Sequence, residues 1–160
     1  MNPIINIDDL TLNTHEHGNS FQASCAQVSG QIGAAKLGYG FAVLPPGKRA
    51  YPFHNHHANE EMFFVVSGSG KIRYGDNVYP IRAGDFIAAP AGDRSTAHQI
   101  INDSTAELRY ISVSTMIRPE IVEYPDSNKF AASTAAPGTP AAFRQLSLCA
   151  PSLDYWHGEN

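Results

Sequence analysis

Between Leu37 and Ser114 the chain alternates short runs rich in β-branched and aromatic residues with turn chemistry. The text reads LGYGFAVL, PPGKR, EMFFVV, SGSG, KIRY, GDN, VYPI, RAGD, FIAAP, a polar loop, AHQII, NDSTA and LRYISVS. No run holds the 3.6-residue apolar period that a helix needs, so the stretch predicts an all-β unit. Many short antiparallel strands leave unpaired edges unless the sheet closes on itself, which argues for a sandwich or a small barrel. A hairpin around Ser67 to Gly70 would set Val66 opposite Lys71, Val65 opposite Ile72 and Phe63 opposite Tyr74. Glu61, Phe63 and Val65 would then share a face with Ile72 and Tyr74, and Met62, Phe64 and Val66 would form the opposite one. Left wet, that second face is a costly apolar patch, so the terminal arms and a second subunit are expected to cover it, making the protein a homodimer.

One segment within this stretch carries chemistry. GKRAYPFHNHHANEEMFFVVSG, from Gly47 to Gly68, places His54, His56 and a carboxylate, Glu61 or its neighbour Glu60, just ahead of a strand. Side chains two residues apart on an extended backbone leave the same face, about 7 Å apart at their bases, and metal–nitrogen bonds of about 2.1 Å close that gap. The residues between His56 and the glutamates can turn an oxygen ligand back to the same side. A second constellation, GDFIAAPAGDRSTAHQIIN from Gly84 to Asn102, supplies His98 on a strand, with Ile100 facing the same way. Three imidazoles and a carboxylate buried together without an ion would leave several polar groups without partners, whereas a mixed nitrogen and oxygen shell suits a divalent transition metal: Mn, Fe, Co, Ni, Cu or Zn.

The flanks are less readable. Ile4, Ile5 and Ile7 suggest a short edge strand and Phe21 to Val28 another, while His15-Glu16-His17, beside Gly18-Asn19-Ser20, reads as a solvated loop. After Ser114 the chain loosens through IRPEIVEYPDSNKF into AASTAAPGTPAA, a small-residue stretch expected to be a mobile linker over 131–142. FRQLSLCAP can return as an edge strand, and Tyr155 and Trp156 read as a buried anchor for the terminus. The expected organisation is an N-terminal arm over 1–36, a barrel over 37–115 and a C-terminal arm over 116–160. With 11 Lys and Arg against 15 Asp and Glu, the 160-residue chain offers no basic face for nucleic acid. No apolar run approaches the about 18 residues of a membrane span, and MNPIINIDDL does not resemble an export signal, so a cytoplasmic protein is expected. Cys25 and Cys149 suit isolated thiols rather than a disulfide framework or a thiolate site.

The two constellations together resemble the two sequence motifs of the cupin superfamily: Gly47, His54-x-His56, Glu61 and Gly68, then Gly84, Pro90-x-Gly92, His98 and Asn102. Four residues separate His56 from Glu61, six separate Glu61 from Gly68, five separate Gly84 from Pro90, and three separate His98 from Asn102, all as in the family pattern. The chain departs in having six residues between Gly47 and His54, and five between Gly92 and His98. VEYPDSNKF and DYWHGEN are also similar to a subgroup of uncharacterised single-domain bacterial cupins. The resemblance implies a double-stranded β-helix, the jelly-roll barrel, holding one divalent transition metal through His54, His56, Glu61 and His98, with Glu61 preferred to Glu60 by its spacing.

Fold alone does not select a reaction. The resemblance leaves a metalloenzyme of isomerase type, acting on a sugar, a sugar phosphate or a keto/enol substrate, beside one of dioxygenase type. A non-catalytic small-molecule binding or sensing protein is the alternative. Tyr51, Phe63 and Tyr74 are the expected lining of the ligand space, with Tyr39 or Phe41 as further candidates, and no side chain beyond the ligands reads as a general base. A phosphate needs a fixed cation. Lys71 and Arg73 fall on the face opposite Glu61, which leaves Lys48, Arg49 and Arg94 in the expected mouth loops.

Overall fold

Thirteen strands and a few short 3-10 turns make up the described part of the chain in the computed structural model, which describes residues 2–135, 139 and 143–159. In chain order the strands are β1 (Asn13–His17), β2 (Phe21–Gln27), β3 (Leu37–Leu44), β4 (Asn55–His56), β5 (Glu61–Ser67), β6 (Ser69–Tyr74), β7 (Asn77–Arg82), β8 (Phe86–Ala89), β9 (His98–Ile101), β10 (Leu108–Thr115), β11 (Glu120–Tyr124), β12 (Lys129–Ser133) and β13 (Arg144–Leu148). One sheet has the order β1-β2-β3-β10-β5-β8, a second β7-β6-β9, and a third β13-β12-β11-β4. All named pairings are antiparallel. The first two sheets face each other across the core. Ala42 and Leu44 of β3, Phe63 and Val65 of β5 and Tyr110 of β10 meet Ile72, Ile81 and Ile100 there. Single bridges from Arg49 to Phe21 and to Ile101, and from His54 to His98, tie further segments into this frame. The result is the expected double-stranded β-helix.

The alternation in EMFFVV holds: Phe63 and Val65 are buried, while Met62, Phe64 and Val66 are half-buried on the other face, where Phe64 packs on Phe86 with centroids 4.6 Å apart. The hairpin register does not. Although SGSG looks like a tight turn, β5 pairs with β10 and β8, whereas β6 pairs with β7 and β9. The chain changes sheets at Gly68, whose φ of 85° lies in the left-handed region and where a Cβ would collide with the Glu107 carbonyl. Consequently Phe63 lies opposite Ser112 and Ile87, and Tyr74 opposite Asn77 and His98.

The arms are more ordered than their composition suggests. His15-Glu16-His17 belongs to β1 rather than to a loop, paired along β2, which itself extends the sheet beside β3. The stretch after Ser114 forms the hairpin of β11 and β12. Residues 131–133 of the expected linker therefore lie in a strand, whereas 136–138 and 140–142 lie outside the described residues. FRQLSLCAP returns as the edge strand β13. Two expectations fail: Ile4 and Ile5 form no strand and Ile7 opens a 3-10 turn, and Tyr155 and Trp156 pack edge to face on each other but remain mostly exposed. Among the described residues no helix is long and apolar enough to cross a membrane.

Candidate metal centre

His54 precedes β4, His56 ends it, and Glu61 and His98 open β5 and β9. A two-way backbone bridge, His54 N–H to the His98 carbonyl at 3.2 Å and His98 N–H to the His54 carbonyl at 2.8 Å, sets two imidazoles side by side with centroids 4.7 Å apart. The centroid of His56 is 5.2 Å from that of His54. All three rings aim Nε2 at one carboxylate oxygen. Glu61 Oε2 lies 3.0 Å from His98, 3.4 Å from His56 and 3.8 Å from His54. Donors bound to one ion at about 2.1 Å sit about 3.0–3.4 Å from their neighbours in octahedral or tetrahedral shells, a spacing that His98 and His56 meet with Glu61 and that His54, at 3.8 Å, exceeds. The side chains of His54, Glu61 and His98 form a group whose candidate ligand atoms all lie within 4.8 Å of one another. Glu60 points elsewhere: it is exposed, and its backbone N–H donates to Thr115.

Hydrogen bonds on the far side of each ring decide what Nε2 can do. His54 Nδ1 lies 2.8 Å from the Pro52 carbonyl and His98 Nδ1 lies 3.2 Å from the Thr96 carbonyl, so each Nδ1 carries the proton it donates. His56 Nδ1 lies 3.3 Å from Glu120 Oε2, another acceptor. In the neutral tautomers these contacts favour, three Nε2 lone pairs and a carboxylate converge, an arrangement that calls for positive charge between them, either a proton on an Nε2 such as that of His98, 3.0 Å from Glu61, or a cation.

The titration behaviour has the same origin. Burial pulls His54 down to about 4, with the nearby His98 adding to the effect and Glu61 opposing it. Burial also acts to lower His56, but hydrogen bonds and charge from Glu61 and Glu120 outweigh it and raise this pKa. For Glu61 burial favours the acid, and the hydrogen bonds to His56 and His98 overcome that, holding its carboxyl well below the usual carboxylate range.

Glu120 is the residue that sequence reasoning missed. It opens β11, is buried, and collects the backbone N–H groups of Ala58, Asn59 and Ile121 and the Asn59 side-chain amide as well as His56. Together these hold its carboxyl below its ordinary range against the effect of burial. It therefore orients a metal-ligand candidate from the C-terminal sheet, as a carboxylate behind an imidazole does at metal sites generally.

A cavity of about 560 Å³ opens over the cluster and is lined by His54, Glu61 and His98 together with Tyr51, Phe63 and Tyr110. Of the expected lining residues, Tyr51, Phe63 and Phe41 are in place, but Tyr39 is not among its walls. Tyr74 lines a separate pocket with Tyr79 and Phe86, because the sheet switch at Gly68 moves it away. Sequence reasoning also overlooked β1. His15 stacks on Tyr51 with centroids 5.4 Å apart and forms part of the same wall. Burial raises the Tyr51 and Tyr110 phenols far above their ordinary range, so both keep their protons at neutral pH.

Residues 40–114 match the model of the cupin domain family. Among solved structures, a candidate sugar phosphate isomerase from Acidithiobacillus ferrooxidans is 25% identical with a TM-score of 0.76, over 88% of this chain and 86% of that one. A sugar phosphate isomerase of the cupin superfamily from Silicibacter pomeroyi is 21% identical with a TM-score of 0.77, over 91% and 92%. Among curated proteins, an oxalate-binding protein of Thermotoga maritima is 27% identical over 74 residues, 46% of this chain and 58% of that protein, less than two thirds of its length.

Proposed function

The chain belongs to the cupin superfamily, and from that premise we propose that it binds one divalent transition-metal ion through His54, His56, Glu61 and His98 and isomerises a small polyhydroxy or keto substrate in the adjoining cavity. The observation that carries this reading is the convergence of three imidazole Nε2 atoms on one carboxylate oxygen, 3.0–3.8 Å from Glu61 Oε2. The likeness to the Acidithiobacillus ferrooxidans protein supports the isomerase class over dioxygen chemistry.

A bound ion supplies Lewis acidity, polarising a carbonyl or hydroxyl oxygen of the substrate. The chain's own groups do the rest. Tyr110, kept protonated by burial, offers its hydroxyl to a substrate oxygen, Tyr51 lines the wall with its hydroxyl donating to Cys25 Sγ, and Phe63 and Phe41 keep bulk water from the walls. The Pro52 and Thr96 carbonyls and the Glu120 carboxylate hold the imidazoles in the tautomer that leaves Nε2 free to bind.

The test is an aldose–ketose interconversion panel, run with free and phosphorylated sugars on protein purified without a histidine tag. Turnover lost in His56→Ala and on chelation, and restored by adding metal, supports the proposal. Turnover that survives both treatments contradicts it. A second reading, a non-catalytic binder of a small carboxylate, draws on the likeness to the oxalate-binding protein. Tight, metal-dependent oxalate binding with no product from any panel member would favour it.

A further inference from the structure

The large cavity has no lysine or arginine in its walls among the described residues. The mouth-loop cations named from the sequence do not supply one: Lys48 donates to the Asn19 carbonyl, Arg94 lies 3.8 Å from Glu123, and Arg49 joins two strand edges through its backbone. If the substrate carries an anionic group, its counter-charge must lie elsewhere.

His56 points to where. It does not line the large cavity but a second pocket of about 330 Å³ on its other side, between the end of β10 and the C-terminal sheet. Arg118 and Arg144 are in the walls of that pocket, with the hydroxyl-bearing residues Thr115 and Ser133. The arginines that pair with a carboxylate are Arg73, Arg94 and Arg109, and among the described residues neither Arg118 nor Arg144 does so. Arg118 donates one Nη1 bond to Ser133 Oγ at 3.2 Å, while its buried Nε has no partner among the described residues. A guanidinium with no carboxylate partner keeps N–H donors at its open end, and an oxyanion accepts charge-assisted bonds from them. The one carboxylate in the walls, Glu120, does not compete, because its oxygens already face the Ala58, Asn59 and Ile121 amides and His56.

We propose that this second pocket is an oxyanion subsite, in which Arg118 and Arg144 bind a phosphate or carboxylate group across His56 from the metal cluster. As a subsite for the anionic end of the substrate it rests on the isomerase reading, but as an anion site it stands on its own lining. Two guanidinium groups favour a phosphate, which accepts more charge-assisted bonds than a carboxylate.

The experiment follows amide and arginine side-chain resonances of the metal-loaded full chain during titration with inorganic phosphate, and in a parallel arm with acetate. The expected result is saturable binding of phosphate, tighter than acetate, with shifts centred on Arg118, Ser133 and Arg144, weakened about tenfold or more in Arg118→Gln and in Arg144→Gln at unchanged metal content. Arg144 is exposed on an edge strand, so its variant keeps the test valid if Arg118→Gln fails to fold. Acetate binding as tightly as phosphate at these residues would make the site a carboxylate site, still held by the same arginines. No saturable shift, or shifts confined to Tyr51, His54 and His98, would overturn the proposal. Because no turnover is measured, this outcome is independent of whether the isomerase assay succeeds.

Discussion

At the scale of single residues the account turns on where protons sit. In protein stripped of metal, His56 takes up a proton first as the pH falls, above the ordinary histidine value of 6.5, and His54 only near pH 4. A histidine resonance titration resolves the two, and His54 titrating at or above His56 would contradict the hydrogen-bond assignment. The linkage sign follows for His54: the unfolded chain binds its proton near 6.5 and the folded chain near 4. Its contribution is therefore fully present above pH 6.5 and is lost as the pH falls through that window. His56 acts oppositely, stabilising below its unfolded value and losing that contribution as the pH rises through its raised one. Glu120→Gln replaces an acceptor of several N–H groups with an amide that meets them with its own donors. It should weaken metal binding about 10–100-fold by calorimetry, and unchanged affinity would remove Glu120 from the site. His54, His56 and a nearby carboxylate were legible because residues two apart on a strand share a face, whereas the choice of Glu61 over Glu60 and the full set with His98 came from the resemblance to the cupin motifs. Glu120 was not legible, because the groups that bury it are mostly backbone amides of Ala58, Asn59 and Ile121, and a backbone amide leaves no signature in a sequence.

At the scale of elements, alternation and turn chemistry were enough to locate most strands of the barrel, but not to say which strand pairs with which. SGSG reads as a hairpin because glycines mark tight turns and sheet switches alike. Only the close approach of the Glu107 carbonyl at Gly68 distinguishes the two. Gly68→Ala should therefore lower stability by about 1–3 kcal/mol in denaturant unfolding, since it combines a positive φ with a backbone collision. A change within about 0.5 kcal/mol would mean that the switch tolerates a side chain. The C-terminal tail gives the reverse case. Aromatic residues near a terminus read as an anchor, yet Trp156 is 70% exposed, so Trp156→Ala should leave the unfolding midpoint unchanged within error. A loss of more than about 1 kcal/mol would show that the tail is pinned after all.

At the scale of the whole molecule, the candidate centre is assembled from parts far apart in the chain. β4 and the segment before it bring two imidazoles, β5 and β9 bring a carboxylate and a third imidazole, and the C-terminal sheet backs one imidazole with Glu120 while walling the second pocket with Arg118 and Arg144. The C-terminal segment thus backs the candidate centre as well as extending the architecture, pairing β11 with β4 at Val122 opposite His56. The central claim is that His54, His56, Glu61 and His98 share one cation. Elemental analysis of untagged protein, taken with X-ray absorption at the edge of the metal found, tests it most directly. The account predicts roughly one equivalent per chain in a shell of nitrogen and oxygen near 2.1 Å with imidazole scattering, lost in His98→Ala. A chain that holds no metal after reconstitution, or a His98→Ala variant that keeps its full complement, would contradict it.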